Sequence, residues 1–547
     1  MLDSKFLTIK KTFIMKFKIF STILLAGSIS LYSCQKNTLE LQPYTSFSDQ
    51  SAFSSADRCL LALNGVYDAA QSGFYAGGAV RGYPFGAANL EQGDMRGEDM
   101  LNQAAFYQIT YEATYNNASA NCSYMFQTIY SMVNKANLVI DGVKDAGTKG
   151  ILTSPVALQY EAECRFLRAF AHHDLVLNFS RPYADGSGNK MGIIYRDFAI
   201  NSDATSAAAR AIKRSTITVA NNYTQILADL DFAEANLPAT QSGTGLSTYR
   251  ATKASAIALK MRVKMHMGDW AGVITEGAKI VTGTAPNFTS PIGGWKLTAT
   301  PDGPFANNTS TESLFSIKND ATDNAGVNGA PANMFGDPAL GARGLVRVSP
   351  IIWSDPDWKC SDLRRTTLYR TAGSSVNAVY TTKYRDYATS SDAAPQIRYA
   401  EVLLMLAEAN ARTSATVSAT SVDLLNAVRN RAVTTPADQY SVASFLNKNA
   451  LIAAILKERR IEFLAEGKRW GDISRLALDP DFAPITGGGI PAKVGTGGAV
   501  ASMFNCAGGV TINKTVNSIP YTDYRFIWPI AIEEWQQNPN YDQNPNY

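Results

Sequence analysis

Histidine is nearly absent. Three residues, His172, His173 and His266, are all that a chain of 547 carries, which leaves little from which to build an imidazole-ligated metal centre or a histidine-based triad. The six cysteines (Cys34, Cys59, Cys122, Cys164, Cys360 and Cys506) fall in no CxxC or comparable ligand spacing. Scattered and, beyond Cys34, odd in number, they describe no disulfide framework, and most read as small buried apolar residues. Basic charge is missing where it would matter. Of the formal net charge of +3, residues 1–33 account for five lysines against one aspartate, so the remainder is close to neutral and carries no footprint for nucleic acid. Nor is there an apolar run of the roughly 20 residues that a membrane span requires.

What the N-terminus does have is a leader. Lys16-Phe17-Lys18 precedes an apolar stretch that ends in Leu31-Tyr32-Ser33-Cys34, the basic, greasy and small-residue order of a secretory signal peptide. The last four residues approximate a bacterial lipobox, in which the cysteine is acylated and becomes the new N-terminus. Residues 1–33 are therefore predicted to be a lipoprotein signal peptide, with Met1 or Met15 as the start. Cys34 is the predicted lipidation site, and the covalent lipid is the sole non-protein group expected, with no cofactor and no metal. Residues 34–47 form a polar tether poor in apolar residues.

From Ser48 onward the spacing of apolar residues is mostly helical. It predicts helices from about Ser48 to Tyr67, from Ser123 to Ile140, over Ala157–Phe179 and over Thr216–Leu237, the last stopped by Pro238. Ala251–Met267 and Trp270–Val281, joined at Gly268-Asp269, pair like a tetratricopeptide unit. Further helices are predicted over Ile397–Ala411, Ser421–Arg431 and Ala450–Glu466. Two stretches break the pattern. Residues 71–118 and 285–395 are rich in Gly, Asn, Ser and Thr, and read as irregular chain with a few short strands.

In this order the motifs resemble the SusD/RagB family of outer-membrane lipoproteins. They are Asn134-Lys135-Ala136-Asn137, Glu161 to Phe170, Arg250-Ala251-Thr252-Lys253, Arg398 to Glu408, Leu425 to Arg431, Lys457 to Phe463 with Gly467 to Asp472, and the tail Gln543-Asn544-Pro545-Asn546-Tyr547. The resemblance implies a mainly α fold in which tetratricopeptide-like helix pairs form the core, at about 120–285 and 397–475 of a single domain spanning 48–547. The irregular segments at about 71–118 and 285–395 would lie on the ligand side. It further implies a non-enzymatic protein, lipid-anchored in the outer membrane and exposed at the cell surface. Such a protein binds nutrient oligomers, above all oligosaccharides, and delivers them to a SusC-like TonB-dependent transporter.

Two sets of residues invite chemistry. Glu458, Glu462 and Glu466 recur at four-residue steps, a spacing that paired catalytic carboxylates could use. Like charges at that spacing repel unless countered, and arginines abound in the other helical motifs. An Arg–Glu lattice that docks the helices is the better account. Sugar binding asks instead for aromatic plates beside polar side chains. With 25 tyrosines and seven tryptophans, the candidates are those outside helical patterns: Trp295, Trp353, Trp358, Tyr75 and Tyr83, with Asp94 to meet a hydroxyl. The rival functions are a secreted glycan hydrolase using a pair such as Asp94 and Glu98, and a helical-repeat scaffold that binds only protein.

Overall fold

The predicted periodicities become helices, with some ends displaced: Ser123–Ile140 extends to Ala120–Thr148, and the Ser48–Tyr67 stretch is divided into Asp49–Ala52 and Ala56–Ser72. The computed structural model describes residues 49–72, 82–372 and 377–547, and Cys34, Tyr75, the leader and the tether lie outside these. Residues 49–54 contain one short helix, Asp49–Ala52, in a unit separate from Ser55–Tyr547. In the larger unit the main helices are α1 (Ala56–Ser72), α2 (Ala87–Met95), α3 (Ala120–Thr148), α4 (Ser154–Phe179), α5 (Val219–Asn236) and α6 (Lys253–Met267). They continue with α7 (Trp270–Ile280), α8 (Tyr399–Thr413), α9 (Ala419–Arg429), α10 (Lys448–Glu462) and α11 (Arg469–Arg475). Neighbours in sequence pack as neighbours in space: α3 on α4, α4 on α5, α5 on α6, α6 on α7, α7 on α8, and α8 on both α9 and α10. This succession is the tetratricopeptide-like helical fold that the sequence predicts.

Local chemistry sets the helix ends. The Thr218 and Thr252 side chains each accept from the backbone three residues on, and their own backbone N–H groups donate to the Asn221 and Ser255 side chains, closing capping boxes at the starts of α5 and α6. Gly268 ends α6 at φ +72°, a conformation with little penalty only for glycine, and Asp269 then caps α7. Apolar side chains fill much of the interior: Ala254, Ala258, Leu259 and Val263 of α6 and Val402, Leu403 and Met405 of α8 have essentially no exposure, and buried pairs such as Arg262 with Glu401 lie among them.

Strand content is small, as predicted. Four two-stranded antiparallel ribbons stand among the described residues, of which Ser313–Ile317 paired with Ala394–Arg398 bears most on function. Two expectations are corrected. Residues 71–118 are not simply irregular, because α2 lies within them. Its Glu91, Gln92 and Asp94 are buried, so the helix shows no amphipathic stripe from which to be read. Gly93 of α2 meets the turn after α10 so closely that a Cβ there would lie 2.3 Å from the Gly467 carbonyl. The second correction concerns cysteine: Cys360 and Cys506 form a disulfide across 146 residues, while Cys59, Cys122 and Cys164 are free and buried.

Candidate functional site

Glu458, Glu462 and Glu466 are all buried, but they do not share one helix as predicted. The helix α10 ends at Glu462, and Glu466 follows in a turn where Ala465 and Gly467 adopt positive φ. Arginines close around them. Arg364 donates to Glu458 at 2.6 Å and Glu462 at 2.9 Å, Arg431 to Glu462 at 3.0 Å and Glu312 at 2.6 Å, and Arg398 to Glu466 at 2.8 Å, Glu462 at 3.0 Å and Glu312. Arg429 adds a bond to Glu458 and Lys383 one to Glu466. Burial by itself would raise the Glu462 carboxyl, but Arg431, Arg398 and Arg364 hold it far below the usual carboxylate range. The set is a closed Arg–Glu lattice, as the sequence predicts. Arg165, Arg168, Arg459 and Arg469 serve other acids: Glu161, Asp229, Asp472 and Glu98.

The aromatic candidates are taken up by packing. Trp353 and Trp358 meet edge to face with ring centres 5.3 Å apart, both lie against Tyr369, and the Arg365 guanidinium sits over the two indoles at 4.6 and 4.2 Å. Trp358 has no exposure and Trp353 has 7 %. Trp295 is 5 % exposed with its indole edge against Gly293. Tyr83 is fully buried and hydrogen-bonds Asn121 and Gln92. Asp94 accepts from the Arg469 backbone, and burial pushes its carboxyl up to about 7. Such placement gives a sugar no ring face, and it speaks against the stacking role expected of these residues. Asp94 and Glu98 are no better placed as a hydrolytic pair, because Glu98 is clamped by Arg460 and Arg469.

The histidines are structural too. His172 stacks on Tyr195 with ring centres 3.7 Å apart and accepts from the Arg196 backbone, while His173 and His266 meet edge to face. Burial drives His172 and His173 down to about 3. Among the described residues no group of three or more His, Cys, Asp or Glu could hold a metal ion.

An open cleft of about 260 Å³ lies elsewhere, between α1, the short helix Leu246–Tyr249 and the exit of the Ser313–Ile317 strand. On α1 it takes Asn64, Tyr67, Asp68 and Gln71, an i, i+3, i+4, i+7 face beside the buried stripe of Cys59, Leu63 and Val66. Tyr249 and Arg250 form the second wall, and Ile317, Lys318 and Asp323 the third. Glu163 of α4, wholly buried, holds two walls together. It accepts from Arg250 at 2.8 and 2.7 Å and from the Tyr67 hydroxyl at 2.7 Å, and that hydroxyl in turn accepts from the Ala251 backbone. Gln71 reaches the carbonyls of Lys318 and Asp323. Asp320 fixes the third wall by accepting from the backbone of Thr322 and Asp323.

The rim stays open. Asn64, Asp68, Lys318 and Asp323 are exposed, and Tyr67 and Tyr249 are half-buried. Burial and the neighbouring Asp323 raise the Asp68 carboxyl, and Lys135 opposes them. Two tyrosine rings, two carboxylates, two amides and two cations on a fixed frame suit a ligand with flat apolar faces and a hydroxyl periphery. Sequence reasoning found the helix of α1 but ran it from Ser48 to Tyr67 instead of Ala56 to Ser72, and read only its apolar stripe. The polar stripe at 64, 67, 68 and 71 was the signal available.

A helical core of tetratricopeptide type, irregular excursions between its helices and a polar, tyrosine-bearing cleft define a binding protein of the SusD type. No helix among the described residues is long and apolar enough to cross a membrane. The chain belongs to the SusD/RagB family: the model described as SusD family matches residues 351–547, and the one described as starch-binding associating with outer membrane matches residues 69–265. SusD-like protein P38 of Formosa agariphila is 23% identical, the match covering 97% of this chain and all of the relative. A SusD superfamily protein from Bacteroides fragilis superposes with a TM-score of 0.71 at 25% identity, over 90% of this chain and 100% of that one. Surface glycan-binding protein A of Bacteroides uniformis shares the fold at a TM-score of 0.62 and 19% identity, over 90% and 99% of the two chains.

Proposed function

We propose that this protein binds nutrient oligosaccharides at the cell surface in the cleft between α1, Leu246–Tyr249 and Lys318, and passes them to a SusC-like TonB-dependent transporter of the outer membrane. One observation carries the proposal. The half-buried rings of Tyr67 and Tyr249 and the exposed polar rim are mounted on a frame fixed by Glu163. A pyranose presents C–H faces to such rings and hydroxyls to Asn64, Asp68, Lys318 and Asp323. The starch-binding description of one matching family model and the glycan-binding name of a structural neighbour support the ligand class. Acylation of Cys34, with the 35–47 tether, would hold the globule at the membrane, because two or more chains anchor firmly where one does not.

Two stacked rings offset only part of the cost of ordering a flexible sugar, so affinities of micromolar to millimolar, roughly −8 to −4 kcal/mol, are expected. Isothermal titration of purified protein with maltoheptaose, cellohexaose, xylohexaose and tetragalacturonate tests the site. Tyr249→Ala should weaken whichever sugar binds by tenfold or more, about 1.4 kcal/mol. Unchanged affinity would remove the cleft as the site. Release of reducing ends during the same incubations would instead make the protein a hydrolase. Mass spectrometry of the N-terminus reads the Cys34 lipid, and co-purification from detergent-solubilised membranes reads the transporter.

A further inference from the structure

A second groove, of about 380 Å³, opens where the end of α4 meets the C-terminal tail. It is remote from the cleft. Glu163 beneath the cleft and Phe179 at the end of α4 are sixteen residues apart on one helix, about 24 Å at 1.5 Å per residue. We infer that this groove is a second saccharide subsite, with Tyr524 as its ring platform and Asp185, Lys190 and Asn546 as its hydroxyl partners.

The platform is fixed before any ligand arrives. Tyr524 is 36 % exposed, and the Tyr547 ring braces it edge-on at 4.8 Å and 80°. Tyr547 is itself tied through its hydroxyl to the Ile527 carbonyl at 2.8 Å. Asn544 anchors the tail by donating to the carbonyls of Phe179 and Trp528. On the far wall Arg181 donates to the carbonyls of Tyr521 and Asp523, its guanidinium 4.8 Å from the Tyr521 ring, and the Tyr521 hydroxyl donates to Asp185 at 2.7 Å. A ring that needs no ordering on binding keeps more of its stacking energy.

The polar side chains at the rim retain capacity. Lys190 meets Asp185 only at 3.5 Å, and its side chain is 47 % exposed. Thr522 and Asn546 are also exposed. A peptide would seek a free strand edge, and this groove is lined by a 3₁₀ turn, the loop that follows α4 and the tail. A rigid ring face with scattered donors and acceptors fits a sugar better.

The test is titration of the full chain with the same four oligosaccharides, comparing wild type, Tyr524→Ala, Lys190→Ala and Tyr249→Ala, with melting curves to confirm that each variant folds. The expected result is a binding component that survives in Tyr249→Ala, is weakened tenfold or more in Tyr524→Ala and is weakened less in Lys190→Ala. If no oligosaccharide gives a component that persists in Tyr249→Ala and is lost in Tyr524→Ala, the groove is not a saccharide site. The cleft stands or falls separately, on whether Tyr249→Ala loses binding that Tyr524→Ala retains.

Discussion

The lattice around Glu462 and the cleft around Tyr249 are both rich in charge, yet they differ in the one respect that decides their role. In the lattice every carboxylate has its guanidinium or ammonium, and all are out of water. In the cleft a single buried acid, Glu163, is consumed by the frame, while Asp68 and Asp323 face solvent and Lys318, paired with Asp320 at 2.8 Å, keeps more than half of its side chain exposed. Charge that is fully answered within the protein fixes geometry. Charge left to water is available to a ligand.

Substitutions should separate the two regions. The largest effect is expected from Arg398→Ala, which leaves Glu312, Glu462 and Glu466 short of a buried partner. Losing one member of a buried pair costs about 3–5 kcal/mol, to be read from the urea midpoint, and a loss below about 1 kcal/mol would mean that the lattice does not hold the helices together. Trp358→Ala should cost a similar 3–5 kcal/mol through the void left beside Trp353 and Arg365, with sugar affinity per folded molecule unchanged. A selective loss of affinity would restore Trp358 as a binding residue.

Glu462→Gln is milder, because the amide oxygen still accepts. The amide NH2 cannot accept, so the bond to Arg364 or those to Arg398 and Arg431 are lost and the remainder lose their charge assistance, which should lower stability by about 1.5–3 kcal/mol. The pH dependence follows the same logic. Arg262, opposing burial, holds Glu401 down to about 2, and arginines depress Glu462 and Asp472 further. Their folded-state values lie below the unfolded ones, so their stabilisation is complete above the unfolded values and is lost as pH falls towards the folded ones. Thermal stability should therefore fall steadily below about pH 4.5, the ordinary glutamate value, and a flat profile down to pH 2 would contradict the lattice. The smallest change in stability, within about 0.5 kcal/mol, is expected at the cleft rim from Lys318→Ala, where the measurable loss should be in ligand affinity instead.

What could be read from sequence follows from this contrast. One helix pair was legible almost to the residue: Ala251–Met267 and Trp270–Val281 were predicted, and Lys253–Met267 and Trp270–Ile280 are found. The arginine-rich lattice was legible as chemistry, but two of its central cations were not placed in it: Arg364 opens a one-turn helix inside the irregular 285–395 stretch, and Arg398 ends the Ala394–Arg398 strand instead of lying within a helix. The aromatic candidates failed as surface plates for a related reason. Irregular chain is not necessarily exposed chain, and Trp353 and Trp358 build a small core of their own under the 285–395 excursion. The disulfide escaped because its partners are 146 residues apart, and spacing along the chain says nothing of approach in space.

Glu163 has a consequence for how such a receptor could be retuned. It is sealed from solvent yet steadies both the ring of Tyr67 and the guanidinium of Arg250, so the scaffold of the pocket and its outward chemistry are mechanically separate parts. Exchanging Asn64, Asp68, Lys318 or Asp323 rewrites what the mouth prefers while the supporting joint stays in place. One buried carboxylate thus lets selectivity drift without endangering the architecture that displays it.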